Sequence, residues 1–195
     1  MTRKAKIIRK TTETDINLEI DLDKNAGTSI ETTIPFLNHM LELFARHGFF
    51  KLVVKGKGDT HIDDHHLVED LGICLGKAVA GALGRKAGIN RYGSARVPMD
   101  ECLCQVDLDI SGRPYLVYNV KCGRRKIGDF DPALVKEFFK AFTDQSGITL
   151  HINFLYGDNI HHIIESVFKA FARALREAVS LNKNIKGVLS TKGKL

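Results

Sequence analysis

The chain has 195 residues, 44% hydrophobic and 27% charged, with a formal net charge of +6. These values exclude a largely disordered chain and leave room for a core that needs no staples. The most apolar run, 71–83, is short and broken by Lys77, so no membrane-spanning helix is expected. The basic balance points to an anionic partner, a nucleic acid or a phosphorylated small molecule. The cations are scattered except for Arg124-Arg125-Lys126 and the tail lysines 183, 186, 192 and 194, and no nucleic-acid motif accompanies them.

In chain order, residues 1–10 are basic but lack the apolar region of a secretory signal. Residues 19–23 alternate apolar and polar, the strand period, and a second strand at 29–34 follows the turn at Gly27. Pro35 opens a helix over 36–45. A strand at 51–56 and a helix carrying 65–83 complete this half. The pattern then recurs: strands at 105–109 and 115–120 around the turn Ser111-Gly112, a helix over 134–142 after Pro132, a strand at 149–154 and a helix to 178. The tail from Asn182 is rich in Lys and Gly, a composition expected to be mobile. The four cysteines, 74, 102, 104 and 122, form no CxxC pair and read as reduced thiols of a cytoplasmic protein.

The recurrence is a duplication. Residues 58–69 (GDTHIDDHHLVE) parallel 157–165 (GDNIHHIIE), and both contain His-His-x-x-Glu. The match extends downstream, 71–83 with 167–178, and upstream, 51–56 with 149–154, 36–45 with 134–142 and 19–23 with 105–109. The division expected is one half over 1–95, a second over 96–182 and a basic tail over 183–195. Each half is α+β, a mostly antiparallel sheet with helices on one face.

On a helix, residues three and four apart share a face, so either histidine of each pair can align with its glutamate. Adjacent histidines diverge by roughly 100° and do not easily serve one metal together. Imidazole with carboxylate suits Mn²⁺, Fe²⁺ or Zn²⁺, and the absence of a cysteine ligand argues against structural zinc. The repeat also aligns His39 with Glu137, each on the first helix of its half. A pseudo-symmetric two-metal protein follows.

Segments 36–41 (FLNHML), 58–66 (GDTHIDDHH), 109–115 (DISGRPY), 157–165 (GDNIHHIIE) and 190–193 (STKG) resemble the imidazoleglycerol-phosphate dehydratase family over nearly the whole chain. The resemblance implies two similar α+β halves of a ribosomal-protein-like fold. It implies a homo-oligomer, commonly a 24-mer, with two Mn²⁺ per active site at subunit interfaces. One ion takes His39, His66, His161 and Glu165; the other takes His65, Glu69, His162 and the residue at 137. Some family members have histidine at that last position, whereas this chain has Glu137. Arg91, Arg113, Lys169, Ser190, Thr191 and Lys192 match the phosphate- and substrate-binding positions. Glu13 matches a substrate-contacting acid and is the candidate proton shuttle, with His47 near the substrate and Asp100 and Glu101 supporting the ligands.

The implied reaction dehydrates imidazole glycerol phosphate to imidazole acetol phosphate in histidine biosynthesis. The ring, held as imidazolate between two Mn²⁺ ions, expels the hydroxyl to give a diazafulvene. Two other readings remain from the residues alone. Asp64-His65-His66 is shared with DHH-type Mn²⁺-dependent phosphoesterases, although no further aspartate-rich motif accompanies it. A basic α+β RNA-binding module fits the charge but leaves both His-His-x-x-Glu copies without a role.

Overall fold

The computed structural model describes residues 3–123 and 125–195; Met1, Thr2 and Arg124, first of the 124–126 cation run, lie outside the described residues. The first half runs β1 (Lys4–Lys10), β2 (Thr14–Asp21), β3 (Ser29–Thr32), α1 (Pro35–Gly48), β4 (Lys51–Gly58) and α2 (His65–Leu83). The second runs β5 (Tyr92–Met99), β6 (Cys102–Asp109), β7 (Tyr115–Asn119), α3 (Leu134–Ser146), β8 (Thr149–Tyr156) and α4 (Ile160–Val179). The sheets have equivalent orders, β1-β2-β4-β3 and β5-β6-β8-β7. In each sheet two pairings are antiparallel and the last, β3 with β4 or β7 with β8, is parallel. The α+β class and the duplicated halves are as the sequence indicates.

Two elements were not legible from pattern alone. The basic N-terminal segment, given no element from sequence, is strand β1, an edge strand with Lys4, Lys6 and Lys10 on its exposed side, a common way to blunt a sheet edge. Its equivalent at the edge of the second sheet, β5, contains Gly93 and Pro98, which disguise it. It runs through the 95/96 division, so the second sheet begins at Tyr92. The tail, compositionally loose, is tied to the segment before β5. Bridges join Ala87 to Val188 and Ile89 to Leu181, and Gly88 N–H donates to the Gly187 carbonyl at 2.7 Å.

The repeat register also needs correction. Pairing 19–23 with 105–109 sets Asp23 against Asp109. In the structure Asp21 lies opposite Lys51, as Asp109 lies opposite Thr149, and Lys51 and Thr149 begin equivalent strands. The true equivalents on this hairpin are therefore Asp21 and Asp109, and with them Glu13 and Glu101. A slip of two keeps every side chain on its own face, so alternation cannot detect it.

The halves interlock through their helices. α2 lies on β1, β2 and β4, and α4 lies on β5, β6 and β8; across the duplication α1 packs on α4 and α3 on α2. The shared core holds a phenylalanine cluster in which Phe139 meets Phe168 and Phe171 at ring separations of 5.2 and 5.1 Å, and Phe171 stacks on Phe44 of the other half at 5.4 Å. α2 and α3 approach closely because Gly72 and Gly76 lack side chains. A Cβ on Gly72 would collide with the Phe138 carbonyl, and one on Gly76 would lie 2.5 Å from the Phe142 carbonyl. Gly72→Ala should force these helices apart and cost about 1–3 kcal/mol. A lower urea midpoint checks it; an unchanged midpoint would show that the helix pair has slack.

Candidate metal centre

The packing of α1 on α4 creates the best-formed cluster. The Asn159 side chain caps α4 by accepting the His161 backbone N–H at 3.0 Å. That cap puts His161 and His162 in the first turn and Glu165 one turn on. His39, from the second turn of α1, meets them from across the duplication. His39 Nε2 lies 3.7 Å and His161 Nε2 3.4 Å from Glu165 Oε2, with the two rings 5.6 Å apart. Phe36 stands edge-on to His161 at 5.3 Å and packs on Phe130 at 5.0 Å, forming an apolar wall. Lys169, one turn beyond Glu165, contacts its other carboxylate oxygen. Burial would raise the Glu165 carboxyl, but the Lys169 bond and the charges of Lys169, His39 and His161 leave it below the ordinary range. Two imidazole nitrogens and a carboxylate oxygen within 4.8 Å of one another form a mixed donor set that fits a first-row divalent cation such as Mn²⁺, Fe²⁺ or Zn²⁺.

Two further clusters surround the other helix-start histidines. His66 Nδ1 lies 3.0 and 3.2 Å from the two oxygens of Asp59, and its Nε2 lies 3.9 Å from Glu13 Oε1. His162 Nδ1 lies 2.8 Å from Glu101 Oε2, and its Nε2 lies 4.0 Å from Asp100 Oδ2. The hydrogen bond to Asp59 raises the His66 pKa, and that to Glu101 raises the His162 pKa. Bonds from His162, the Cys102 thiol and the Asn159 N–H hold the Glu101 carboxyl down at about 2. Burial and the neighbouring Glu101 push the Cys102 thiol up to about 12.

Of the first expected ligand set, His39, His161 and Glu165 converge, whereas His66 stands with Glu13 and Asp59. Of the second, His65, Glu69 and Glu137 join no three-donor group among the described residues, and His162 stands with Asp100 and Glu101. His65 is edge-on to His66 at 6.1 Å, Glu69 is exposed and Glu137 half-buried. They do occupy the equivalent helix pair, since α2 packs on α3 as α4 packs on α1. His47, near the end of α1, has its pKa lowered by burial and by the charges of Lys169 and Arg173. Two acids went unnamed from sequence. Asp59 was within reach, because the Gly-Asp before each histidine pair repeats at 58–59 and 157–158. Asp109 lies in the repeated 105–109 strand and opens the 109–115 segment, but nothing in either pattern pairs it with Arg91.

Asp109 matters at the anionic-ligand end. Arg91 grips it through Nε at 2.7 Å and Nη2 at 3.0 Å, and donates from Nη1 to the Leu189 carbonyl at 2.7 Å. Its guanidinium lies 4.8 Å above the Tyr92 ring. Arg113, 69% exposed, approaches the same Asp109 at 3.9 Å. Together with Ser190, Thr191 and Lys192, and with Lys186 and Lys194, they line a cleft of about 920 Å³. The Arg91 N–H donates to Ala178 at the C-terminal end of α4, while the histidine cluster sits at its N-terminal end. Twenty residues of helix separate the two by about 30 Å.

The family model described as imidazoleglycerol-phosphate dehydratase matches residues 32–175. An imidazoleglycerol-phosphate dehydratase of Syntrophus aciditrophicus is 65% identical over 98% of each chain, and one of Geobacter sulfurreducens is 56% identical over the full length of both. Among solved structures, the dehydratase of Staphylococcus aureus is 40% identical with a TM-score of 0.84, covering 92% of this chain and 99% of that one. That of Pyrococcus furiosus is 38% identical with a TM-score of 0.84, covering 97% and 100%.

The Arg91 fork is the main tie between the tail and the second sheet. Arg91→Ala should raise hydrogen exchange in the peptide spanning 186–195 about tenfold or more while α4 stays protected. Unaltered exchange there would show that the bridges at Val188 and Leu181 suffice.

Proposed function

The chain belongs to the imidazoleglycerol-phosphate dehydratase family, hydro-lyases of histidine biosynthesis, and we propose that it removes water from imidazole glycerol phosphate with the aid of two Mn²⁺ per active site. The observation that carries the metal reading is the convergence of His39, His161 and Glu165. These three, with His66, would hold one ion; His65, Glu69, His162 and Glu137 would hold the other. When bound, the two ions act as Lewis acids that make the substrate's imidazole an electron sink and hold it in place.

The protein's own groups then bind and move protons. The hydroxyl leaves from the carbon attached to the ring and departs as water. The neighbouring carbon loses its proton, and the resulting enol becomes the ketone, so the sum is substrate to imidazole acetol phosphate plus water. Glu13 suits the proton shuttle: it stands in the β1–β2 turn beside His66, with about half its side chain exposed and so open to a ligand. Arg113, Ser190, Thr191 and Lys192 bind the phosphate, and Arg91 offers the guanidinium hydrogens that Asp109 and Leu189 leave free.

An assembly of identical subunits, commonly a 24-mer in this family, completes the reading. Its support is that His66 stands apart from the His39 trio within one chain, and that the basic cleft and the trio occupy opposite ends of α4. A second copy resolves both separations. The compartment proposed is the cytoplasm, where four unpaired thiols stay reduced. Among the described residues, no helix is long and apolar enough to cross a membrane.

Chelator-stripped protein should lack dehydratase activity and regain it with Mn²⁺; activity independent of metal would overturn the metal reading. Glu13→Gln should bind Mn²⁺ and substrate normally while kcat falls about 10²–10⁴-fold. Near-parental turnover would remove Glu13 from proton transfer. Glu137→Gln should abolish one of two Mn²⁺ equivalents in a binding titration, and retention of both would exclude Glu137 as a ligand.

A further inference from the structure

We propose that Asp59 and Glu101 are positioning residues that fix His66 and His162 in a single tautomer, so that each ring presents Nε2 to a metal. The inference rests on the metal reading above. An ionised carboxylate only accepts hydrogen bonds, so the proton of each contact lies on Nδ1, and in the neutral ring the lone pair is left on Nε2. An unconstrained neutral imidazole favours the opposite arrangement. The carboxylates therefore set which nitrogen is free, and they raise its basicity toward a metal.

Both acids are committed to this role. Asp59 directs both oxygens at His66 Nδ1, and its side chain is only 15% exposed. Its backbone N–H donates to the Glu13 carbonyl at 3.0 Å, tying the β4–α2 loop to the β1–β2 turn. Glu101 bonds His162 through Oε2, while its Oε1 accepts the Asn159 N–H at 3.0 Å and the Cys102 thiol at 3.2 Å. Asn159 is the cap of α4, so one carboxylate fixes both the ring and the helix start. The acids nearest the free Nε2 atoms are Glu13 and Asp100, and neither Asp59 nor Glu101 approaches those atoms as closely.

The two halves reach this arrangement differently. Asp59 comes from the loop before α2, whereas Glu101 comes from the β5–β6 turn. Under the corrected register the repeat partner of Glu101 is Glu13, not Asp59. Two unrelated positions supplying the same contact argue for a requirement on the histidine rather than for inheritance of one motif.

The test uses the intact assembled protein, with Asp59→Ala, Glu101→Ala and the conservative Asp59→Asn and Glu101→Gln. In metal-free protein carrying ¹⁵N-histidine, at an alkaline pH where imidazoles are neutral, parental His66 and His162 should carry the proton on Nδ1. Each Ala variant should move it to Nε2 on its own histidine. The Mn²⁺ dissociation constant should rise about 10–100-fold in the Ala variants and less in the Asn and Gln variants, whose amide oxygens still accept from Nδ1. X-ray absorption at saturating Mn²⁺ should show no lost oxygen ligand.

Nε2 protonation in the parent, Mn²⁺ affinity within about twofold of the parent in both Ala variants, or loss of an oxygen ligand would overturn the proposal. A parent that binds no Mn²⁺ would defeat the metal reading instead, and the tautomers would still decide the positioning role. Should an Ala variant fail to fold, the Asn and Gln variants carry the same comparison.

Discussion

The cross-packing of the two halves is the constraint on which the rest depends. Each long helix lies on its own sheet and also on the short helix of the other half. Without α1 against α4, His39 would be a surface histidine and Glu165 would keep only its own helix's His161 and Lys169 as partners. With it, three donors converge behind a wall of Phe36 and Phe130. The contact is apolar at depth, where Phe44 stacks on Phe171, and polar only at the end where the helices start. Burial of rings aligns the helix pair, and the pair aligns the donors. Cluster geometry is thus a by-product of core packing, which holds side chains in fixed rotamers far better than a loop does.

The duplication supplies two such helix pairs, but it does not supply two identical sites. Glu13 and Glu101 occupy equivalent turns and face equivalent histidines, yet they have diverged. Glu101 is tied to His162, the α4 start and a thiol; the Glu13 side chain is half exposed and lies 3.9 Å from His66. In the first half, Asp59 has taken over the bond to Nδ1. The Glu13 side chain is thereby left without a bond to Nδ1. The tied carboxyl is held near 2, far from the range in which a general base exchanges protons efficiently near neutrality. One turn is therefore tied into the structure, and the other leaves its carboxylate open to solvent.

Much of this was legible in the sequence because it rests on local periodicity and on repetition. Four helices, the paired inner strands, the histidine pairs and the equivalence of His39 with Glu137 all followed from spacing. What escaped has physical causes. Edge strands β1 and β5 lack an apolar face on both sides; the lysines of β1 mask its alternation, and β5 carries Gly93 and Pro98. The two-residue slip between the halves preserves alternation and so leaves no trace in hydropathy. Asp109 acts on Arg91 from 18 positions away, and such a contact has no sequence period. The separation of the basic cleft from the histidine trio depends on which end of α4 each occupies, which only the sheet order fixes.

That separation shapes the electrostatics of the chain. A formal charge of +6 would attract an anion anywhere on a uniformly basic surface. Here the Arg91 charge is largely offset by Asp109 at two bonds, so the net positive charge of the cleft comes from Arg113 and from Lys186, Lys192 and Lys194 around it. Asp109 reduces the raw attraction for an anion but holds the guanidinium plane and anchors the tail through Leu189. A fixed fork loses little side-chain freedom when it meets a phosphate, and the flexible lysines supply the long-range field. At the other end of α4 the balance is reversed: Asp100, Glu101 and Glu165 gather around His39, His161 and His162. A ligand bearing both a phosphate and an imidazole carries the two chemistries that these ends separately match, and about 30 Å of helix keeps the two ends of one chain beyond one small molecule's length.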